Sequence, residues 1–360
     1  MSWSSTAEGT VSPRAQLAGV PVYSAALASA APVTVRASSN EAPDGVSPAV
    51  RDAVIARLAR PNRYPLLGGV DLIAALADAL GADAEEIAVA DGSLSLLNYL
   101  LLAHVRPGSR VVVPWRSYEA YPICVLTAGG EPVLVPNRAD GGHDLAAMAA
   151  AVDDTTAAVI LCSPNNPTGV ALTHDEVAGF LAAVPATTLV VLDEAYLDFD
   201  ARADRVRSRE LATHPNLVLL RTFSKAYGLA GLRVGYAIGH PDVIASARKI
   251  LPPFPVSALS VAAALAALGD DAHRATIVAT VHAQRAQVGA LLAEAGLPSF
   301  ATEANFVWLP LGERSRELGA LCAEAGISTR VFDGEGLRIS LGEPGLPEAL
   351  SGVLPRFAAS

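Results

Sequence analysis

Lysine is almost missing from this chain. Of its 26 basic residues only Lys225 and Lys249 are lysines; the others are arginines. Arginine does most of the surface work of lysine, but its guanidinium stays protonated and cannot do amine chemistry. A lysine kept in so arginine-biased a chain raises the question of whether its amine is needed. Lys249, in the helical stretch Ala245-Ser246-Ala247-Arg248-Lys249, reads as residual, which leaves Lys225. Cysteine is scarce too. Cys124, Cys162 and Cys322 are odd in number and far apart, which excludes a disulfide framework and a CxxC metal pair and makes a reducing, cytoplasmic setting the plain reading. Charged residues make up only 17%, below the usual ~25%, while 51% are apolar, so the chain lacks the composition of a disordered protein. The net charge of −10 offers no basic face for phosphates, so neither nucleic acid nor an anionic membrane surface is an expected partner. No run is long and apolar enough to span a bilayer; the small-residue run over 24–35 is broken by Pro32. The opening MSWSSTAEG lacks the basic start of a signal peptide. HExxH, P-loop, GxGxxG and GxSxG motifs are absent and the seven histidines are scattered, so no metal, dinucleotide or serine-hydrolase site is expected.

What is present is regular. A length of 360 residues suggests two domains of ~100–200 residues each. Residues 1–35 read as an arm interrupted by Pro13, Pro21 and Pro32. A helix starts at Ser47-Pro48, and a second covers 70–80 and stops at Gly81. Strand candidates then follow at 87–90, 111–113, 133–135, 157–162, 189–192, 217–221 and 234–238. Helical stretches near 94–104, 118–128, 145–152 and 174–184 lie between them. Continuous apolar strands separated by helices predict an α/β fold with a seven-stranded, mostly parallel sheet covered on both faces. The last two strands have no long helix between them, which permits one to run antiparallel. After Pro241 a long Ala-rich helical region reaches about Gly296. Strands at 305–309, 328–332 and 336–341 and helices at 315–325 and 347–357 follow. The expected organisation is a large domain over 36–240 and a smaller α+β domain over 241–360.

In an open α/β sheet, ligands bind beyond the carboxyl ends of the strands. Asp91-Gly92-Ser93 precedes a helix and offers backbone N–H groups to a phosphate, although an ordinary βα turn reads the same way. Residues 163–169 (SPNNPTG) fix a turn presenting Asn166 as an amide. Asp193 directly after a buried run is either a helix cap or a functional anion, with Tyr196 beside it. Thr222-Phe223-Ser224-Lys225 leads through Gly228 and Gly231 to Arg233. Together, an N–H cup, an amide, a carboxylate with a phenol, and a lysine suit pyridoxal phosphate. Lysine forms a Schiff base with its aldehyde, and a carboxylate keeps its pyridine nitrogen protonated.

Ser39-Asn40-Glu41, Asn62-Arg63-Tyr64-Pro65, SPNNPTG at 163–169, DEAY at 193–196, RTFSKAYGLAGLRVG at 221–235, EANFVW at 303–308 and LRIS at 337–340 span nearly the whole chain. In this order and spacing they resemble the fold-type I pyridoxal-phosphate-dependent aminotransferases, specifically the histidinol-phosphate aminotransferase family. WRSYE at 115–119, Gly92-Ser93 without a following Asp-Glu, and the short segment from Arg330 to Arg338 are most similar to its aromatic, or phenylalanine, branch. The resemblance implies amino transfer from an aromatic amino acid to a 2-oxo acid such as 2-oxoglutarate, through an aldimine on Lys225. It implies that Asp193 pairs with the pyridine nitrogen and that Tyr196 and Asn166 meet the phenolic oxygen. Gly92, Ser93, Leu94, Ser224 and Arg233 would hold the phosphate and Tyr118 would stack on the ring. Arg338 would take the substrate carboxylate, with Asn40, Asn166, Asn305 and Arg330 on the substrate side. Tyr64 would reach the phosphate of a neighbouring subunit, which implies a homodimer. Ala42 and Leu66 stand where the family usually has polar residues, so a specialised paralogue acting on a non-standard amino acid is an alternative. Histidinol phosphate as donor is another. Decarboxylation is a third, because the cofactor site alone does not choose which bond at Cα breaks.

Overall fold

A computed structural model describes residues 32–359 together with Leu17 and Val20. Most of the arm expected over 1–35 therefore lies outside the described residues. A short strand β1 (Val35–Arg36) leads to helices α1 (Pro48–Leu58) and α2 (Val70–Leu80). Then come β2 (Ile87–Ala90), α3 (Ser93–His104), β3 (Arg110–Trp115), α4 (Ala120–Ala128), β4 (Glu131–Pro136), α5 (Leu145–Ala150), β5 (Thr156–Cys162), α6 (His174–Ala183), β6 (Leu189–Asp193), α7 (Ser208–Leu211), β7 (Leu217–Thr222) and β8 (Gly235–Gly239).

β2 to β8 form one seven-stranded sheet in the order β2-β8-β7-β6-β5-β3-β4. All neighbours are parallel except β8, which runs antiparallel to both β2 and β7. The reason lies in the β7–β8 connection. Residues 223–234 hold no helix long enough for the crossover that parallel neighbours need. Side chains of the central strands alternate between two cores, as a two-residue period requires. Ala158, Ile160 and Cys162 of β5 pack on the α3, α4 and α8 side. Val159 and Leu161 pack on the α1, α2, α6 and α9 side.

The Ala-rich stretch after Pro241 is three helices: α8 (Pro241–Arg248), α9 (Ala258–Leu268) and α10 (Asp271–Glu294). Pro252, Pro253 and Pro255 end the first, since proline has no N–H to donate. Ser257 and Asp270 cap the next two with their side chains. β9 (Phe306–Leu309), α11 (Ser315–Glu324), β10 (Ile327–Ser328), β11 (Arg330–Phe332), β12 (Gly336–Ser340) and α12 (Leu346–Ala358) complete the fold. The single strand expected at 328–332 is thus two. β10 pairs in parallel with β1, whereas β11 joins β12 and β9 in a three-stranded antiparallel sheet. A third core unites Val35, Tyr196, Phe199 and Ala226 with the C-terminal strands and helices, closing this layer over the carboxyl ends of β5, β6 and β7. Among the described residues no helix is long and apolar enough to cross a membrane.

Candidate active site

A cavity of about 370 Å³ lies between the strand ends and the C-terminal layer. Asp193, the last residue of β6, is in register with Cys162 at the end of β5, and both side chains reach it. Asp193 accepts from Tyr121 Oη at 2.8 Å and from the Ala195 N–H at 3.0 Å. Burial raises its pKa to about 6, against the pull of those two donors. Its neighbour Glu194 turns the other way and pairs with Arg221 Nε at 2.9 Å. One carboxylate of the pair therefore faces the cavity and the other is structural.

Lys225 follows β7. Its Nζ donates to Asn40 O at 3.0 Å and Ser39 O at 3.4 Å. Burial, with the Arg338 and Arg233 cations nearby, lowers its pKa to about 8 despite Glu41 and Asp193. Tyr196 Oη accepts from Asn40 Nδ2 at 3.0 Å, and burial pushes its phenol well above the usual range. Asn40 is a hub. It is buried at φ +53, its N–H donates to Ser340 Oγ at 2.8 Å, and the same hydroxyl donates back to Asn40 Oδ1.

An anion cradle stands at the start of α3. Gly92 precedes the helix without a side-chain cap, so the first amides are left for a ligand. Gly92 adopts φ +108, and a Cβ there would lie 2.5 Å from Arg233 Nη2. Only glycine lets the guanidinium lie this close. Arg233 Nη1 donates to Ser224 Oγ at 3.1 Å, and Ser93, Leu94, Ser224 and Arg233 all line the cavity. On the opposite wall Arg338 donates to Asn166 Oδ1 and to Ser38 O, each at 2.6 Å, and Arg330 donates to Glu119 Oε2 at 2.9 Å. Tyr118 lines the cavity and meets Tyr121 edge to face.

The structure thus brings Asn40, Ser93, Leu94, Tyr118, Asn166, Asp193, Tyr196, Ser224, Lys225, Arg233, Arg330 and Arg338 to one cavity, with Gly92 as its turn. It does not bring Asn305 there. Asn305 is fully buried behind Asn40, to whose carbonyl it donates at 3.2 Å. Tyr64 lies away from this cavity, exposed and stacked on Phe254 at 4.3 Å between centroids. Sequence reasoning missed Tyr121, Glu119 and Phe332. Tyr121 was within reach, since it follows Tyr118 by three residues at the start of a helix, the spacing of one face. The donor set fits pyridoxal phosphate: a phosphate cradle, a buried carboxylate for a protonated ring nitrogen, and an amine with a lowered pKa.

The family model for aminotransferases of class I and II matches residues 34–349. The chain is 45% identical to an aromatic amino acid aminotransferase of Rhodococcus jostii, covering 87% of each chain. It is 46% identical to one of Thermobifida fusca, covering 86% of this chain and 87% of the other. Among solved structures, histidinol-phosphate aminotransferase of Sinorhizobium meliloti in complex with pyridoxal-5'-phosphate is similar, with a TM-score of 0.85 and 31% identity over 91% of each chain. Matched along nearly its whole described length, this chain belongs to the class I and II aminotransferases.

Proposed function

We propose that the chain moves the amino group of an aromatic amino acid to a 2-oxo acid such as 2-oxoglutarate, using pyridoxal phosphate, as a homodimer in the cytoplasm. The observation that carries this reading is the convergence of Lys225, Asp193 and Arg338 on one cavity. Bound there, pyridoxal phosphate supplies an aldehyde for the amino group and a ring that accepts the electron pair left at Cα. Asp193 holds a proton at the ring nitrogen. Lys225, with a pKa near 8, keeps a usable free-base fraction and carries the proton from Cα. Ser93, Leu94, Ser224 and Arg233 hold the phosphate, Tyr196 and Asn166 the phenolic oxygen, and Tyr118 covers the ring. Arg338 takes the substrate carboxylate through a two-pronged hydrogen bond, and Asn40 fixes the wall beside it.

Two observations support the aromatic substrate. The Phe332 ring lines the cavity beside Arg338, and the charge of Arg330 is already met by Glu119. The relatives in Rhodococcus and Thermobifida carry the same activity in their names. The dimer rests on Tyr64, which stands 78% exposed beside exposed Leu66, Leu67 and Val70, a face suited to a second copy whose cavity Tyr64 would complete. Three buried, unpaired cysteines accord with the cytoplasm. The test compares kcat/KM for phenylalanine, tyrosine and histidinol phosphate with 2-oxoglutarate as acceptor. Phenylalanine and tyrosine are expected to lead. A preference for histidinol phosphate above about a hundredfold, roughly 2.7 kcal/mol, overturns the aromatic assignment.

A further inference from the structure

β11 and β12 place Arg330 directly opposite Arg338 in the antiparallel register. Opposed residues on adjacent strands project from the same face, so two guanidiniums stand side by side on the cavity wall. Both lie against Phe332, at 5.6 and 5.9 Å from its centroid. Like charges so placed repel, and an unbalanced cation against an aromatic ring disfavours an apolar ligand. The charge of Arg330 is met within the protein. Glu119 Oε2 sits 2.9 Å from Arg330 Nη2, so a carboxylate of the protein already occupies the Arg330 guanidinium.

The two halves of this pair differ in access to water. The Arg330 side chain is 13% exposed and that of Glu119 31%. Glu119 is thus the half of the pair nearer to solvent. Glu119 also immediately precedes α4, where a helix N-terminus favours its charge. Were Arg338 to take the α-carboxylate of a ligand, Arg330 beside it would be the cation left for a second acidic group. A transaminase of the proposed specificity must take both an aromatic donor and a dicarboxylate acceptor at this end.

We propose that Glu119 is a specificity-determining residue that stands in for the distal carboxylate of the acidic co-substrate. It stays on Arg330 while an aromatic side chain lies against Phe332, and it gives way when a dicarboxylate arrives. This rests on the aromatic reading above. A second, reciprocal pair separates the idea from simple clasping of the layers. Arg116, in the β3–α4 loop, donates to Glu335 in the β11–β12 turn, Nε to Oε2 at 2.7 Å. That pair ties the same two segments together, and Arg116 reaches Phe332 from there, at 5.5 Å from its centroid.

The experiment measures calorimetric binding of glutarate and of 3-phenylpropionate to cofactor-loaded wild type, Glu119→Gln and Glu335→Gln, with kcat/KM for phenylalanine and 2-oxoglutarate alongside. Glu119→Gln is expected to tighten glutarate about fivefold and weaken 3-phenylpropionate by a similar factor, the scale of a partly exposed ion pair. Glu335→Gln is expected to shift both ligands in the same direction. Parallel shifts in Glu119→Gln, or none, would make Glu119 a clasp and overturn the proposal while wild-type phenylalanine turnover kept the aromatic reading. Absence of phenylalanine turnover in the wild type would overturn both.

Discussion

Replacing Asp193 with asparagine is expected to stabilise the cofactor-stripped protein at pH 8 while removing most of its transaminase activity. Burial lifts the Asp193 pKa from 3.8 to about 6, so the ionised carboxylate is disfavoured by the fold itself. At ~1.36 kcal/mol per unit, the folded state carries a penalty of about 3 kcal/mol once Asp193 is ionised. The sign is opposite to that of a salt-bridged carboxylate. The penalty is absent below about pH 4, grows between about pH 4 and 6, and is constant above. Asparagine removes it but has one oxygen for two donors, Tyr121 Oη and the Ala195 N–H, a loss of about 1–2 kcal/mol. The net gain at pH 8 is about 1–2 kcal/mol, and by pH 4, where the penalty is gone, it reverses to a loss of about 1–2 kcal/mol. Urea unfolding of the stripped wild type and Asp193→Asn at pH 4, 6 and 8 measures it. The wild type should also gain more stability from added pyridoxal phosphate. A variant less stable than wild type by over 1 kcal/mol at pH 8, or a difference flat across pH, would refute the reasoning.

Lys225 leads to a kinetic expectation. Its pKa of about 8 should make reconstitution of the stripped protein with pyridoxal phosphate quicken with rising pH, with a midpoint near 8. Arg338→Ala removes a cation that holds this pKa down, so the midpoint should move upward, which stopped-flow absorbance reads directly. Gly92→Ala forces a side chain into φ +108 and onto Arg233, and should weaken cofactor binding by about tenfold or more, measured by fluorescence titration. Mixing inactive Tyr64→Ala and Lys225→Ala proteins should restore some activity by subunit exchange, because one site of the hybrid then holds both native residues; an active enzyme that sediments strictly as a monomer contradicts this.

The seven strands of the large sheet were readable to within two residues because helices bury both faces, which leaves uninterrupted apolar runs. The short chain between β7 and β8 left room for one of them to run antiparallel, and pairing with β2 and β7 decides that it is β8. Breaks among α8, α9 and α10 were marked by prolines and cap residues, yet the uniform alanine background hid them. The split between β10 and β11 was not readable, since it depends on β1 arriving from the other end of the chain. Of the residues lining the cavity, Lys225, Asp193 and Arg233 stand out in the sequence by rarity or by position after a strand. Tyr121, Glu119 and Phe332 do not. What they face is set by tertiary packing, and an aromatic or acidic residue in or beside a helix reads the same whether it faces a carboxylate, a guanidinium or water. The place of Asn305 behind Asn40 was not readable for the same reason, since an amide serving the wall and one serving a ligand look alike in sequence.

The hub at Asn40 has a consequence for the order in which the protein is made. Asn40 and Ser340, which hold each other, are 300 residues apart. At roughly 5–20 residues per second, Asn40 is synthesised about 15–60 s before its partner. Over that interval the large sheet, complete by Gly239, can form with Lys225 already in place. The carbonyl that receives the Lys225 ammonium, the amide that donates to Tyr196 and the floor beneath Arg338 all wait for the last strand. A ribosome paused before β12 thus carries the Lys225 amine on a finished sheet, without the wall around it and without the burial and Arg338 charge that lower its pKa in the complete fold.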